Sequence, residues 1–314
     1  MPGARAGTQG LAARAQVENG SCIRQAVTGI LNVRETAFVS ADAEGVSAVQ
    51  LGGMALRNGV LLQSERFWAA AVRSPGGGVN VTSGEKVRFP GREGLQRVPL
   101  LRGLLRLGES LAVLPAVRRS TGGPVLPQED PRLLAATAVS AVATLALRSS
   151  RRGSPLLKEL AAAGVSLAPI LLLLRDSRLA RYHGAEHKSL AAYESGLDPA
   201  TADKEHARCG SNLIAPLVVT TVAGNLVLRA VGKERQPAAT FVAGLVSIGA
   251  AMELFSWMAR HQDHPLSRAL RRPGIEMQRL FTTSEPTAEQ LDVADLALRE
   301  LLRREEAAPE PADA

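Results

Sequence analysis

The sequence predicts an α+β protein that is mainly α, in which a small β-rich N-terminal part precedes a helical membrane bundle of about four helices. The first reason is the distribution of the apolar residues, which make up an ordinary 46% of the 314 residues but collect in blocks rich in Ala, Leu and Val. The second reason is a pair of short apolar runs on either side of the Pro/Gly-rich stretch 74–78. This arrangement is typical of a β-hairpin.

Changes in composition divide the chain into four regions. Residues 1–46 are expected to be a disordered or irregular extension, because their first part is rich in Ala, Gly and Arg. Residues 47–97 are the β-rich part, and residues 98–272 contain an amphipathic helix and an apolar helical bundle with a His/Cys loop at 175–212. Residues 273–306 are predicted to form a soluble C-terminal helical tail with a capped helix.

Three glycines, Gly52, Gly53 and Gly59, bracket a short apolar segment in the β-rich part. Glycine adopts the backbone conformations of tight turns without steric cost. We therefore interpret these glycines as turn residues, in preference to a ligand-binding loop.

Residues 98–118 repeat leucine and arginine with helical spacing, which predicts an amphipathic helix with a basic face. Such a helix could lie on a membrane surface or pack against the rest of the protein. The sequence leaves both placements open.

Four apolar segments follow, at Leu133–Leu147, Leu160–Leu174, Leu213–Leu228 and Ala239–Ala259. They contain 15, 15, 16 and 21 residues, whereas a spanning helix needs about 20, so only the last is comfortably long. Three of the four are bounded by charged residues on both sides and contain almost no internal charge. We therefore favour a multi-pass membrane protein in contact with membrane lipid, with a soluble helical core as the alternative.

Positive charge predicts the orientation of the bundle in the cell membrane. If all four segments cross, thirteen basic residues near the segment ends lie on the side of the 175–212 loop and seven lie on the other side. Because positive charge is enriched on the cytoplasmic side, the His/Cys loop and the C-terminus are expected in the cytoplasm. The two cysteines lie far apart in the sequence and predict reduced thiols rather than a disulfide framework.

The net charge of +7 is assigned to a solvated face or to contact with anionic lipid. The sequence has no basic run interleaved with aromatic residues, which is the pattern of single-stranded nucleic-acid binding. Nucleic acid is therefore not expected as a partner. Neither a substrate nor an oligomeric state follows from the sequence.

Side chains that bind transition metals are concentrated in one stretch, where three of the five histidines and one of the two cysteines fall within 27 residues. The stretch begins with His183-x-x-Glu186-His187. On a helix, these two histidines project from one face about a turn apart. Two imidazoles placed in this way can share one Zn²⁺, and in the inverted zincin arrangement the intervening Glu is the general base that activates water.

A third ligand must come from elsewhere in the chain. His206 and Cys209 are the best candidates, with Glu194 and Glu205 as poorer ones, because imidazole and thiolate both suit Zn²⁺. Three protein ligands leave a coordination position open for catalysis, whereas four make a closed, structural site. The alternative interpretation is a polar loop in which the histidines and Glu186 are solvated.

Other polar residues have simpler interpretations. Glu253, inside the last apolar segment, is expected to face the bundle interior and pair with Arg260, or to lie on a route to the metal. His261 and His264 are interpreted as parts of a surface turn rather than as a second metal site. Cys22 is expected to be inert.

The motif Tyr-His-Gly-Ala-Glu-His-Lys at 182–188, followed by His-x-Arg-Cys-Gly at 206–210, resembles the bacterial family known as domain of unknown function 1385. Three further elements match the family: the Gly-Gly opening at 52–60, Pro-x-x-Arg-Gly at 99–103 and the closing segment at 273–286. The resemblance thus covers about residues 47–303. Members of this family are described as metal-dependent, multi-pass membrane proteins.

The resemblance implies a metal site formed by His183, Glu186, His187, His206 and Cys209. The first hypothesis is a metal-dependent hydrolase, with Glu186 as the catalytic base and a divalent metal, Zn²⁺, as the cofactor. The second hypothesis is a non-enzymatic membrane scaffold or carrier, with a structural metal site or none.

Two further points qualify the first hypothesis. Arg208 is placed in the sequence where it could steady an oxyanion. The chain departs from the family pattern at Met54, Asn58 and Ala207, where Gln, Glu and Pro are usual. The first two departures argue against a catalytic part for the opening motif.

Overall fold

The computed structural model describes residues 49–74, 76–122, 131–150, 153–169 and 177–308. The predicted irregular extension at 1–46, and Cys22 within it, lie outside the described residues. Within them, the chain is mainly helical and has a small antiparallel sheet at its N-terminal end, as the sequence predicts.

Among the described residues, four strands form a sheet in chain order: β1 Gly52–Leu56, β2 Gly59–Gln63, β3 Phe67–Arg73 and β4 Val79–Glu85. Each strand pairs antiparallel with the next, and the predicted hairpin is the β3–β4 pair, in which Arg73 lies opposite Val79. The interpretation of the glycines as turn residues is wrong for Gly52 and Gly53, whereas Gly59 closes the turn by pairing with Leu56. Gly52 and Gly53 lie inside β1 and Gly59 begins β2, while residues 57–58 form the turn.

Helices follow the sheet. Within the described residues the α-helices are α1 Arg92–Arg97, α2 Leu101–Leu111, α3 Leu114–Thr121, α4 Pro131–Ser149, α5 Pro155–Ser166, α6 Ser177–Ser195, α7 Ile214–Ala230, α8 Pro237–Arg260, α9 Pro265–Met277 and α10 Ala288–Ala307. A 3₁₀ turn, Gly210–Leu213, leads into α7, and a π-helical turn, Gln278–Thr282, follows α9.

The sheet packs against helices on both faces, because successive side chains of a strand point to opposite sides. Val60 and Leu62 in β2 lie in one buried cluster with Tyr182 and Ala185 of α6 and with apolar residues of α10. Leu61, between them, lies in a second buried cluster with residues of α3. The sheet therefore fixes the rotation of α6 about its own axis.

Three helical stretches of the described residues are long and apolar enough to cross a membrane: Pro131–Ser149, Gly210–Ala230 and Pro237–Arg260. In the most apolar 18 residues of each stretch, only 6%, 11% and 17%, respectively, are buried inside the protein. Side chains such as Val142 and Phe241 are instead 69% exposed. Apolar surface of this extent is stable in lipid and unfavourable in water, so these helices favour a membrane-associated protein.

Within the part of the chain that the structure describes, the prediction of about four spanning helices is corrected to three. The second predicted segment, Leu160–Leu174, overlaps α5, which has 12 residues and is therefore only about 18 Å long. The hydrocarbon core of a bilayer is about 30 Å thick, so α5 is too short to cross it. Residues 170–174 of the predicted segment lie outside the described residues.

Glu253 in α8 pairs with Arg102 of α2 rather than with the predicted partner Arg260. Arg102 Nε donates to Glu253 Oε1 at 2.6 Å, and the backbone N–H of Leu100 donates to the same oxygen at 3.2 Å. A carboxylate within an apolar helix is costly unless it is paired. The predicted amphipathic helix at 98–118 is two helices, α2 and α3. Helix α2 packs against the rest of the protein, which is one of the two predicted placements.

The close approach of α2 to α8 depends on Gly249 in α8. A Cβ atom at this position would lie 2.7 Å from the carbonyl oxygen of Leu100 and 3.1 Å from the Cα atom of Leu100. Real Cβ contacts are essentially never as short as the first of these distances. Any larger residue must therefore push α2 away from α8.

We expect Gly249→Ala to lower the free energy of unfolding by about 1–3 kcal/mol, because the added methyl group overpacks the α2–α8 contact. Gly244→Ala in the same helix is the matched control, since a Cβ atom there has no neighbour within 4 Å. Thermal unfolding of the detergent-purified protein measures both variants. If the two variants unfold at the same temperature, the contact does not contribute as described.

Glu300 connects α10 to the sheet. Ser83 Oγ in β4 donates to Glu300 Oε1 at 2.5 Å, and Arg303 Nη2 donates to the same oxygen at 2.7 Å. These bonds, with that of Arg303 the larger influence, lower the pKa of Glu300 from 4.5 to about 2. A carboxyl group whose pKa is lowered by folding stabilises the protein above its unfolded pKa and loses that contribution as the pH falls.

We expect Glu300→Gln to lose about 1 kcal/mol of stability at neutral pH, a small value because Arg303 is exposed to water. The difference from wild type should shrink as the pH falls from about 4.5 towards 2, where Glu300 itself becomes protonated. The control is Glu306→Gln, which changes an exposed carboxylate on the same helix. Unfolding measured over this pH range tests the prediction, and a difference that does not change with pH would contradict it.

Candidate metal centre

The His-x-x-Glu-His motif lies on helix α6. Residues Ser177–Ser195 of the predicted His/Cys loop are therefore helical, which is the condition that the metal hypothesis requires. Because Tyr182 and Ala185 are buried against the sheet, His183 and His187 face away from it, towards the 204–212 loop and the segment that follows α9. The two imidazole rings lie side by side, with 4.4 Å between their centroids.

Gly184 in this motif allows the 282–286 segment to approach α6. A Cβ atom at Gly184 would collide with the carbonyl oxygen of Ser284 and would lie 3.3 Å from its carbonyl carbon. The backbone N–H of Ser284 also donates to the carbonyl oxygen of Ala180 at 3.0 Å. The segment therefore lies directly against the backbone of α6, beside the first histidine.

Backbone carbonyl groups fix the tautomers of both histidines. His183 Nδ1 lies 2.8 Å from the carbonyl oxygen of Thr282, and His187 Nδ1 lies 2.6 Å from that of Lys204. A carbonyl oxygen only accepts, so each Nδ1 carries the proton and donates, and each neutral ring has a lone pair on Nε2. This orientation, with the second ring nitrogen bonded to a carbonyl, is usual for histidines that bind metals.

Cys209 completes a cluster with the two histidines. Its Sγ atom lies 3.4 Å from His183 Nε2, and one potential ligand atom from each of His183, His187 and Cys209 lies within 4.8 Å of the others. His187 is 1% exposed and Cys209 is 9% exposed, whereas His183 is partly exposed, so two of the three donors are shielded from bulk water. Donor type and spacing fit a metal, and the cluster could hold one.

His206 lies beside the cluster but is not part of the three-donor group. Its ring centroid is 5.7 Å from that of His187, and its Nε2 atom lies 3.2 Å from Glu194 Oε2. Its backbone N–H donates to Gln278 Oε1 at 2.7 Å. The structure therefore brings together three of the four predicted ligands and directs the fourth towards a carboxylate.

Glu194 and Arg208 form an ion pair at the edge of this region. The carboxylate of Glu194 contacts both His206 and Arg208, so it orients these two side chains rather than the metal cluster. The oxyanion role predicted for Arg208 is not supported by this geometry, because the guanidinium group is already paired. Glu205, the other weak candidate, lies outside the three-donor group. Its Oε1 atom is 3.9 Å from the Nζ atom of Lys204.

Glu186 is 4% exposed and lies against β1. A Cβ atom at Gly53 would collide with Glu186 Oε1 and would lie 2.7 Å from Glu186 Cδ, so the glycine provides the space that the carboxylate occupies. Glu186 Oε2 is buried and accepts no hydrogen bond from the described residues. A buried carboxylate oxygen without a donor is costly, which is common where a group is kept for chemistry.

Burial changes the pKa values of several groups in this region. It raises the pKa of Glu186 from 4.5 to about 6, although His183 and His206 oppose the change. It lowers the pKa values of His187 and His206 below 6.5, which keeps both rings neutral at neutral pH. Neutral imidazole is the form that binds a metal.

Residues outside the motif hold this arrangement, and they were not predicted as parts of the site. Gln278 is fully buried, and its side chain donates to the carbonyl oxygen of His206 at 3.2 Å and to Ser211 Oγ at 2.8 Å. The π-helical turn that begins at Gln278 ends at Thr282, whose carbonyl oxygen accepts from His183. Turns of this type are frequent at functional sites. The one sequence feature that could have indicated these residues is the closing segment of the family resemblance, 273–286, which contains Gln278 and Thr282.

His261 and His264 are not near the cluster. Both rings contact Trp257, with centroid distances of 5.2 and 5.1 Å, and His264 caps α9 by accepting from the N–H of Leu266. Neither residue belongs to the three-donor group found among the described residues. The interpretation of a surface turn agrees with these contacts.

Comparison with known proteins identifies the family. A family model described as "Protein of unknown function (DUF1385)" matches residues 132–304, just over half of the chain, and these residues include all five predicted site residues. The "Uncharacterized protein YqhQ" of Bacillus subtilis (strain 168) is 33% identical over 152 residues, which are 45% of this chain and 44% of that protein. The chain thus matches less than half the length of this curated relative.

No solved structure matches the chain. The family match confirms the resemblance drawn from the histidine and closing motifs, and it begins after the opening motif at 52–60. This chain belongs to the DUF1385 family of proteins of unknown function.

Proposed function

We propose that this protein is an integral membrane protein with a Zn²⁺ site formed by His183, His187 and Cys209. The observation that carries the proposal is the shared orientation of the two histidines, both of which donate Nδ1–H to a backbone carbonyl and make their other side-chain hydrogen bond to Cys209. Two imidazoles and a thiolate are ligands that suit Zn²⁺ better than Mg²⁺ or Ca²⁺.

We further propose that the site is that of a metal-dependent hydrolase. Three protein ligands leave one position open, which distinguishes catalytic from structural zinc sites. Bound Zn²⁺ supplies Lewis acidity that activates water at neutral pH. Glu186 is the general base: its carboxyl group lies on the same helix as the two histidines, it is shielded from bulk water, and its pKa of about 6 suits proton transfer near neutral pH.

The alternative function is a non-enzymatic membrane scaffold or carrier with a closed metal site. One observation favours it: the ring of His206 lies only 5.7 Å from that of His187. If His206 turned from Glu194 towards the cluster, four protein ligands would surround the metal. A closed site of this kind would contribute to folding and not to chemistry.

The packing of the sheet against α6 and α10 supports a specific arrangement in the membrane. Since these three elements share one core, the chain must return to the same side of the membrane between α3 and α6, and again between α6 and α10. We propose that α7 and α8 cross the bilayer as a helical hairpin from that side. We propose that α4 and α5, of which α5 is too short to cross, enter the bilayer and return to that side. The excess of basic residues near the segment ends favours the cytoplasm for the metal centre and the C-terminus.

Ligand variants separate an open from a closed site. We expect His187→Ala and Cys209→Ser each to weaken zinc binding by at least about 100-fold, because each removes one of three donors. His206→Ala should keep its zinc. Elemental analysis of protein purified in detergent measures the metal content, and thermal unfolding shows whether each variant is folded. Loss of zinc in folded His206→Ala would favour the closed structural site.

Variants of Glu186 and of two glycines on β1 test the proposed role of Glu186 as the general base. With zinc-loaded protein and p-nitrophenyl acetate as the probe ester, we expect Glu186→Gln to reduce the hydrolysis rate by about 10²–10⁴-fold while zinc is retained. Gly53→Ala should also reduce the rate, since its methyl group would displace the carboxylate. Gly52→Ala should not, because a Cβ atom there has no neighbour within 4 Å. A wild-type rate in Glu186→Gln would remove the hydrolase proposal.

A further inference from the structure

A cleft with a volume of about 480 Å³ lies where the sheet meets the first turns of α6 and α10. Asn58 from the β1–β2 turn and Arg73 from the end of β3 line one side. Arg178 and Arg181 of α6 and Glu289 of α10 line the others. The cleft shares no residue with the metal cluster, so it is a separate feature of the same helix.

The residues that line the cleft are strongly basic. Three of them are arginines and one is a carboxylate, so the formal net charge is 3 − 1 = +2. The remaining lining residues are polar or, in the case of Tyr182, aromatic, and the hydroxyl groups of Ser74 and Thr287 can donate hydrogen bonds. A concave site with this charge favours an anion.

The described contacts of Arg73 and Arg181 leave both side chains able to bind a ligand. Arg73 Nη1 lies 3.3 Å from Glu289 Oε2, and the Glu289 side chain is 74% exposed, so water screens this pair and a stronger anion can replace it. Arg181 Nε is buried and donates to no acceptor among the described residues. Arg178 donates to the neutral oxygen Oδ1 of Asn58 at 3.1 Å. An unpaired buried donor on a guanidinium group is costly, and that cost is removed if the Arg181 side chain turns this donor towards an anion in the cleft.

We propose that this cleft binds a phosphate monoester. Guanidinium groups bind phosphate through paired N–H donors, and a phosphate monoester is close to a dianion at neutral pH, which matches the net charge of the lining residues. The volume lies in the range of small-molecule sites and exceeds what a phosphate group alone would fill. The phosphate is therefore part of a larger molecule, either a lipid headgroup or a soluble compound.

Phosphate binding by the detergent-purified full chain tests the proposal, with inorganic phosphate as the probe and calorimetry as the measurement. We expect Arg181→Gln to weaken binding by about tenfold, because it removes a charge-assisted hydrogen-bond donor. Glu289→Gln should strengthen binding by about threefold, because it removes the anion that competes for Arg73. This second variant changes an exposed side chain, so it tests the proposal even if Arg181→Gln does not fold.

Arg299→Gln is the charge-matched control, since Arg299 is on α10 but does not line the cleft. Equal weakening by Arg299→Gln and Arg181→Gln would show a general charge effect and would overturn the proposal. His187→Ala should bind phosphate as wild type does. Loss of binding in that variant would place the phosphate at the metal cluster and would also overturn the proposal, without bearing on whether the metal site exists.

Two competitors distinguish the sources of the phosphate. Displacement of phosphate by phosphatidic acid in mixed micelles, with phosphatidylcholine micelles as the control, supports a lipid headgroup. Displacement by glycerol 3-phosphate supports a soluble compound. If neither competitor displaces phosphate, the cleft does not recognise a monoester and the proposal is wrong.

Discussion

The candidate centre depends on one constraint, namely that two histidines on the same helix are held in the same tautomer. The carbonyl oxygens of Thr282 and Lys204 accept from the Nδ1 atoms of His183 and His187, and both rings thereby meet the thiol of Cys209 on their other side. These carbonyl groups belong to two segments far apart in the sequence. The centre therefore exists only where the 204–212 loop and the segment after α9 both lie against α6.

Packing on both sides of α6 makes this arrangement rigid. The sheet buries Tyr182 and Ala185 on one side, and Ser284 approaches the backbone at Gly184 on another. Polar groups buried in the process are mostly paired, as the contacts of Gln278 illustrate. Glu186 Oε2, like Asn212 Oδ1 and Thr282 Oγ1, has no hydrogen-bond partner among the described residues. Burial of the Glu186 carboxyl group raises its pKa to about 6. The protein thus retains an unfavourable group where a catalytic base would be required.

Helix α6 also connects the two candidate ligand sites. Its first turns contribute Arg178 and Arg181 to the basic cleft, and the following turns contribute His183 and His187 to the metal cluster. Apolar helices adjoin this core, and the ion pair between Arg102 and Glu253 joins the amphipathic helix to one of them. The ion pair therefore connects the core, which carries the polar sites, to the apolar helices, which favour lipid.

The sequence by itself determined the fold class, the family and the helix that carries the histidines, because apolar blocks, hairpin turns and i/i+4 spacing are local patterns. It did not determine which donors meet, since His206 and Cys209 are equally plausible by type and only tertiary packing turns the first towards Glu194. Local patterns also misassigned Gly53, whose role is to make room for a side chain more than 130 residues away. Contacts between distant segments decide such matters, and these contacts form only when the sheet, α6 and the segment after α9 pack together.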